Sequence, residues 1–307
     1  MGPPVMRSST CWTHPTERSM TTAAEAYLAE IEAERSRREA RLRGDASWFN
    51  VVGLHWLREG TSTVGSAASN DIVLPGGPSH AGVIEVRDGI ATLDAHGGTL
   101  TVDGRKVDHR LLVPDTEPDT TEVVLGQVRF HAILRAGRLA LRVVDLDSAA
   151  RRAFAGLDYF ALDPAWRIAG WLEPPTSSDL DFPTILGTHQ QERLVGTVRF
   201  EIGAQSKRLA AISDGDGEGL FLIFGDGTNG IDTYSSGRYL YTGSPAANGT
   251  VALDFNLAIN PPCAFTHAAT CSLPPTANQL AIRVTAGEKA YSGPVAGPPE
   301  PPAAPAA

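Results

Sequence analysis

Tight-turn dipeptides set between short apolar runs restrict this chain to a β-rich fold. Asp88-Gly89 and Asp103-Gly104 each divide two β-prone runs. A two-residue Asp-Gly loop takes positive φ at both positions, which closes a hairpin in register with the twist of its strands. Ser62–Val64, Ile72–Leu74, Val83–Val86, Ala91–Leu93, Leu100–Val102 and Leu111–Val113 are separated by Gly, Asn, Asp and Pro. Longer runs, Glu122–Leu134 and Leu139–Val144, pair across Ala136-Gly137, and Trp48–Leu57 has strand character with bulky residues. Strands this short and this regularly spaced predict a β-sandwich. The 31 Gly and 22 Pro among 307 residues supply the turns such a fold needs.

Ahead of the sandwich, Thr22-Ala-Ala-Glu25 is a capping box, and Ala24, Tyr27, Leu28 and Ile31 share one helical face. Glu34 with Arg38, and Glu39 with Arg43, are spaced for i,i+4 pairs, and Gly44 suits a C-cap. The helix is expected to lean on the body by its first half, leaving its arginine-rich second half as a solvated face. After the sandwich, Trp166–Leu172, Arg193–Ile202, Lys207–Ile212, Leu220–Phe224, Val251–Phe255 and Gln279–Val284 read as strands of an antiparallel domain. Residues 179–184 read as irregular. The expected fold class is mainly β, with a disordered N-terminus over 1–21 and an amphipathic helix over 22–44. A β-sandwich over 45–150, a second antiparallel β-domain over 151–290 and a disordered Pro/Ala tail over 291–307 complete it.

Composition narrows the partners. Net charge is -9, with no basic stripe, which argues against nucleic acid. No apolar run approaches the roughly 20 residues of a membrane helix. The N-terminal MGPPVMRSSTCWTHPTERSM has no apolar h-region, so a cytoplasmic protein with reduced thiols is expected. Three cysteines, Cys11, Cys263 and Cys271, do not make a disulfide framework. Gly-x-Ser-x-Gly, His-Glu-x-x-His, a P-loop and Gly-x-Gly-x-x-Gly before a helix are all absent, which argues against serine hydrolase, metalloprotease and nucleotide-binding classes. No cofactor is expected.

Within the sandwich, Val64-Gly65, Asn70-Asp71-Ile72-Val73-Leu74-Pro75, His80-Ala81, Asp88-Gly89, Gly98-Thr99 and Val102-Asp103-Gly104-Arg105 follow in order. Residues 60–132 thereby resemble a forkhead-associated domain, a β-sandwich family that binds phosphothreonine peptides. The phosphate-binding positions depart from that family. Val64-Gly65 stands where it has Gly-Arg, Ser79 lacks an arginine partner, and Gly97 replaces the Asn before Gly-Thr. A phosphate dianion in a loop needs charged or amide donors. The resemblance therefore implies the fold as scaffold or lid, without phosphopeptide binding.

A longer set of motifs runs from Trp48 to Glu288. It includes Val52-Gly53-Leu54, Trp166-Arg167, Thr233-Tyr234, Gly237-Arg238-Tyr239-Leu240, Leu253-Asp254-Phe255-Asn256, Asn260-Pro261-Pro262-Cys263-Ala264-Phe265, Leu273-Pro274-Pro275 and Ala286-Gly287-Glu288-Lys289. On these the chain resembles a bacterial family named domain of unknown function 1684. The name implies no activity.

Two constellations carry candidate chemistry. Asp226, Asp232, Tyr234, Arg238 and Tyr239 could aim carboxylates, phenols and a guanidinium at one ligand. Arg238 would clamp an anion, and Asp232 or Tyr234 would act as acid or base. Asn256 and Asn260 are candidate orienting amides, with backbone satisfaction as the competing role. Cys263-x3-His267-x3-Cys271 is compatible with a zinc site, a local disulfide, two structural thiols, or a nucleophilic Cys263. Asp214-x-Asp216-x-Glu218 mimics the start of a calcium loop, but Gly225 occupies the bidentate Glu position. His55, among aromatics, reads as a core histidine. The expectation is a small polar or anionic ligand bound in the C-terminal domain by Asp226, Arg238, Tyr239, Asn256 and Asn260. The alternatives are a hydrolase or lyase using Cys263, Asp232 or Tyr234, and a protein-interaction module in the sandwich.

Overall fold

The computed structural model describes residues 16–215, 217 and 219–298, with side chains from residue 24 onward in the first helix. The disorder expected of residues 1–15 and 299–307, Cys11, and positions Asp216 and Glu218 of the calcium-like loop lie outside the described residues. Helix α1 (Thr16–Arg43) starts ahead of the capping box, because Thr16–Thr21 contains no Gly or Pro to stop it. Tyr27, Ile31 and Leu42 are buried along one face, while Leu28 is exposed. In the arginine-rich half, Arg37, Arg41 and Arg43 are exposed as expected, while Arg35 and Arg38 are partly buried.

Eleven short strands follow in two sheets: β1 (Val51–Trp56), β2 (Gly60–Gly65), β3 (Ile72–Val73), β4 (Gly82–Arg87), β5 (Ile90–Ala95), β6 (Thr101–Val102), β7 (Arg105–Lys106), β8 (His109–Leu111), β9 (Val123–Leu125), β10 (Val128–Arg135) and β11 (Arg138–Asp145). One sheet has six strands in the order β1-β11-β10-β9-β6-β7, the other five in the order β3-β2-β4-β5-β8. Val64, Ile84 and Leu93 from one and Val123, Phe130 and Leu141 from the other share one buried core. The Asp-Gly hairpins take the expected geometry, with φ of 52° and 74° at Asp88-Gly89 and 52° and 72° at Asp103-Gly104. Ala136-Gly137 does the same at 48° and 73°. Trp48–Asn50 is a 3₁₀ turn rather than strand, because the Ser47 side chain accepts from the Phe49 amide and caps it.

A short helix, α2 (Ala149–Arg152), leads into β12 (Arg167–Glu173), β13 (Asp179–Pro183), β14 (His189–Ile202), β15 (Gln205–Ser213), β16 (Leu220–Asp226), β17 (Arg238–Tyr241), β18 (Thr250–Asp254) and β19 (Gln279–Leu280). The sheet runs β17-β16-β15-β14-β12-β18, with β13 added on β14 and β19 on β16. All pairs but β16·β19 are antiparallel. Residues 179–184, expected to be irregular, instead supply β13. Strand β14 begins earlier than its apolar alternation suggested, and its polar first half templates β13 from Asp179↔Arg193 to Pro183↔His189. No helix among the described residues is long and apolar enough to cross a membrane.

A third cluster joins the parts. Leu42 of α1, Phe49, Phe154, Phe265 and Ala296 pack together, with Tyr234 and Tyr291 at the margin. The Phe49 ring lies 5.1 Å from Phe154 and 5.2 Å from Phe265. Thr266 Oγ1 donates to the Val51 carbonyl at 2.5 Å. Residues 291–298 belong to this joint rather than to a disordered tail. Ala296 is buried and exchanges backbone bonds with Phe265 and His267. The apolar Tyr291, Val295 and Ala296 provide the burial that the remaining Pro/Ala stretch cannot.

Two backbone positions give opposite expectations. Ala136 holds φ of 48°, where a Cβ is strained, so Ala136→Gly should be neutral to stabilising, by up to about 1 kcal/mol. At Gly287 φ is 78°, and a Cβ would stand 2.5 Å from the Ala258 carbonyl oxygen. Gly287→Ala should destabilise by more than about 1 kcal/mol. Denaturant midpoints of the two variants beside the parent protein check both signs.

Candidate functional site

The strand pair β16–β17 brings Asp226 and Arg238 together, but as a closed pair. Both side chains are 0% exposed, with Arg238 Nη2 2.6 Å from Asp226 Oδ2. Nη2 and Nη1 also donate to the carbonyls of Val284 and Ala286, at 2.8 and 2.5 Å. Asp226 Oδ1 accepts from the Thr228 amide and hydroxyl and from the Val284 amide. Burial lowers the Arg238 pKa, and Asp226 opposes that shift. The pair expected to contact a ligand is closed off from solvent. The arginine is consumed in tying the irregular 281–286 segment to the sheet.

The other predicted residues divide similarly. Asn256 is buried, its amide donating to Tyr27 Oη, the Asp163 carbonyl and Asp254 Oδ1 at 3.0, 2.9 and 3.1 Å. Tyr239 Oη donates to the Ser272 carbonyl at 2.9 Å, and Tyr234 Oη to the Cys263 carbonyl at 2.9 Å. Burial raises both phenol pKa values, so neither Tyr is poised as a base near neutrality. Asp232 pairs with Arg283 on the outer surface. Asn260 donates its amide to the Lys289 carbonyl at 2.8 Å and leaves Oδ1 buried without a partner.

Cys263 and Cys271 meet as free thiols, the Cys263 amide donating to Cys271 Sγ at 3.2 Å. The Cys271 thiol hydrogen-bonds Cys263 and holds its pKa down, while the Cys271 pKa is raised. His267 does not join them. It is exposed, and no group of three His, Cys, Asp or Glu side chains among the described residues could hold a metal.

The cleft lies elsewhere, between the second half of α1 and the C-terminal domain. It encloses about 270 Å³ and is lined by Arg35, Arg38 and Arg41 facing Tyr159, Tyr241, Asn256–Ile259 and Glu288. Glu288 is fully buried and fixes the wall. Its Oε1 accepts from Arg38 Nε at 2.9 Å, and its Oε2 accepts from the Asn260 backbone N–H at 2.7 Å. Arg35 lies with its guanidinium carbon 4.3 Å from the Tyr159 ring centre. Its one hydrogen bond is a long one, 3.4 Å to the Phe160 carbonyl, and its Nε is buried without a partner. Tyr159 Oη is likewise buried and unpartnered. Burial lowers the Arg35 pKa and raises that of Tyr159. The Arg41 side chain is exposed and has no hydrogen bond or ion pair among the described residues.

Of the predicted site residues, only Asn256 lines this cleft. The arginines were missed because their density on a helix reads as a solvated face. The available signal was phase. Tyr27, Ile31, Arg35, Arg38 and Leu42 continue one i,i+3/i+4 line, so the apolar face carries the two arginines inward.

Removing one partner of the Asp226–Arg238 pair strands a buried charge. Arg238→Met should cost about 3–5 kcal/mol of stability, and Asp226→Asn with Arg238→Met together less than the sum. Equal additivity in urea unfolding would show the two side chains to be uncoupled.

No curated protein matches the chain. Among solved structures, the solution NMR structure of an uncharacterised protein of Haloarcula marismortui shares 36% identity, covering 44% of this chain and 77% of that one, with a TM-score of 0.35. The family match is narrower than the motif run from Trp48, and it includes Tyr159, Asn256 and Glu288 of the cleft. Through residues 152–289 the chain belongs to the family described as Protein of unknown function (DUF1684).

Proposed function

We propose that the protein binds a small monoanion carrying a flat apolar body in the cleft between α1 and the C-terminal domain. The observation that supports this reading is Arg35, a half-buried cation whose Nε has no partner, beside the equally unpartnered Tyr159 hydroxyl. Buried polar atoms are nearly always hydrogen-bonded, so two orphans in one cleft favour an absent acceptor. The lining holds Arg35, Arg38 and Arg41 against Glu34 and Glu288, which leaves room for one negative charge. Tyr159, Leu257 and Ile259 offer the apolar surface, and the volume sits at the small end of ligand sites.

The ligand class is the one expected from the sequence, and the charge partner moves from Arg238 to Arg35 and Arg41. Binding is favoured over hydrolase or lyase chemistry here because no Cys, Ser or His lines the cleft. The N-terminal half serves in this reading as a forkhead-associated-like scaffold, an assignment that its two sheets of six and five strands support. Phosphopeptide binding is not proposed. Gly65 packs its Cα against the Ser79 backbone, where a Cβ would stand 2.3 Å from the carbonyl oxygen, so no arginine fits there. A bacterial cytoplasm, with reduced thiols, is the setting assumed.

Titration with benzoate, beside neutral benzamide, tests the proposal. Benzoate should raise the melting temperature and bind at least about tenfold more tightly than benzamide, the value of one charge-assisted hydrogen bond. Arg35→Gln should abolish the preference, and Arg41→Gln, at an exposed site that leaves the fold intact, should weaken it. Equal binding of the two probes, or a preference unchanged in both variants, overturns the reading.

A further inference from the structure

Of the two buried arginines among the described residues, Arg142 and Arg238, only Arg142 lacks a bonded carboxylate. It sits on β11 opposite His131 of β10 and Leu54 of β1, on the sheet face turned toward the C-terminal domain. It is 8% exposed. Its Nε is buried and unpartnered, and its Nη2 reaches only Thr270 Oγ1, at 3.4 Å. Trp48 lies beneath it, with the ring centre 5.8 Å away. Asp115 is near but is already held by Arg135, at 2.6 and 2.9 Å. Burial and Arg135 together push the Arg142 pKa down to about 10, so it stays a cation at neutral pH. An isolated buried cation costs several kcal/mol unless an anion offsets it.

Thr270 is adjacent to Cys271, so its contact with Arg142 places the guanidinium beside the two cysteines. The unpaired cation and the paired thiols explain each other if the two sulfurs share one proton and so carry one negative charge. Hydrogen bonding from Cys271 favours the charge on Cys263, and Cys263 is the less buried of the two. Two tyrosines fix the surrounding backbone through the Cys263 and Ser272 carbonyls.

The geometry points to a second site: Cys263 and Cys271, with Arg142 as their counter-ion, form a reactive dithiol that reduces hydrogen peroxide. The Cys263 thiolate attacks one peroxide oxygen, an S–O bond forms as the O–O bond breaks, and the departing hydroxide takes a proton to become water. Cys271 loses its proton and attacks the Cys263 sulfur. The S–S bond forms as the S–O bond breaks, and a second water leaves. The sum is two thiols and one peroxide giving one disulfide and two waters. A small oxidant suits a sulfur that is only partly exposed. Arg142 acts through the charge it holds beside the sulfurs and is a positioning residue.

The test uses the full chain with Cys11→Ser, so that only the two sulfurs react. Substoichiometric to equimolar hydrogen peroxide should remove both titratable thiols together and lower the intact mass by two hydrogens. Cys271→Ser should instead gain one oxygen at Cys263, trapped as a sulfenic acid by dimedone. Arg142→Met should slow thiol loss at least about tenfold, the effect of one unit of thiolate pKa, and Arg142→Lys should restore most of the rate. Thiols that survive equimolar peroxide, or Cys271→Ser that takes up no dimedone, overturn the site. Lys and Met variants that are equally slow while their melting temperatures match the parent overturn the role of Arg142.

Discussion

A fully buried carboxylate, Glu288, holds the first helix to the C-terminal domain. It stands in the last motif of the C-terminal domain, and one of its oxygens takes Arg38 from the first helix. The other accepts from the Asn260 backbone N–H at the entrance to the segment that carries the two cysteines. A carboxylate with no access to water is tolerated only when both oxygens are bonded. That requirement draws α1 across the domain, and α1 then forms one wall of the cleft. Gly287, the preceding residue, allows the turn because its backbone lies against the Ala258 carbonyl, where any side chain would collide.

Two buried arginines and one partly buried one distinguish structural charge from available charge. Arg238 is bonded to Asp226 and two carbonyls, and it forms a strut. Arg38 is bonded to Glu288 and the Asn260 carbonyl, and it forms a hinge pin between helix and domain. Arg142 has neither a carboxylate nor a short bond to a carbonyl. Burial lowers the pKa of both Arg238 and Arg142, so the difference between those two lies in the partners. Where a carboxylate is bonded to the guanidinium the charge is spent on the fold, even though the Arg238 Nε is also buried without a partner. Where the carboxylate is missing, as at Arg142 and Arg35, the field is directed at something else.

Much of the architecture was legible because it rests on local signals. The Asp-Gly hairpins, the short alternating strands and the first helix each follow from a few adjacent residues. Strand β13 was not legible. Asp179–Pro183 has no strong strand character and is extended because β14 offers an edge. Residues 291–298 were misread for a related reason. Composition marks them as tail, but Ala296 finds a bonding partner in Phe265 only after the chain has folded. The candidate site shows the same split. Asp226 and Arg238 were correctly read as neighbours, and the sequence could not show that they would be sealed off together.

The order of residues alone determined a mainly β chain, a leading helix, the hairpins that connect the strands, and the reactive residue types gathered between Phe221 and Glu288. Local sterics and periodicity act over a few residues, so they need no knowledge of the fold. Tertiary structure decided which charges would be neutralised and which left open. That depends on distances between residues as far apart as Arg38 and Glu288, or Arg142 and Thr270. Desolvation has no sequence period, since the surroundings of a guanidinium are set by every segment packed against it.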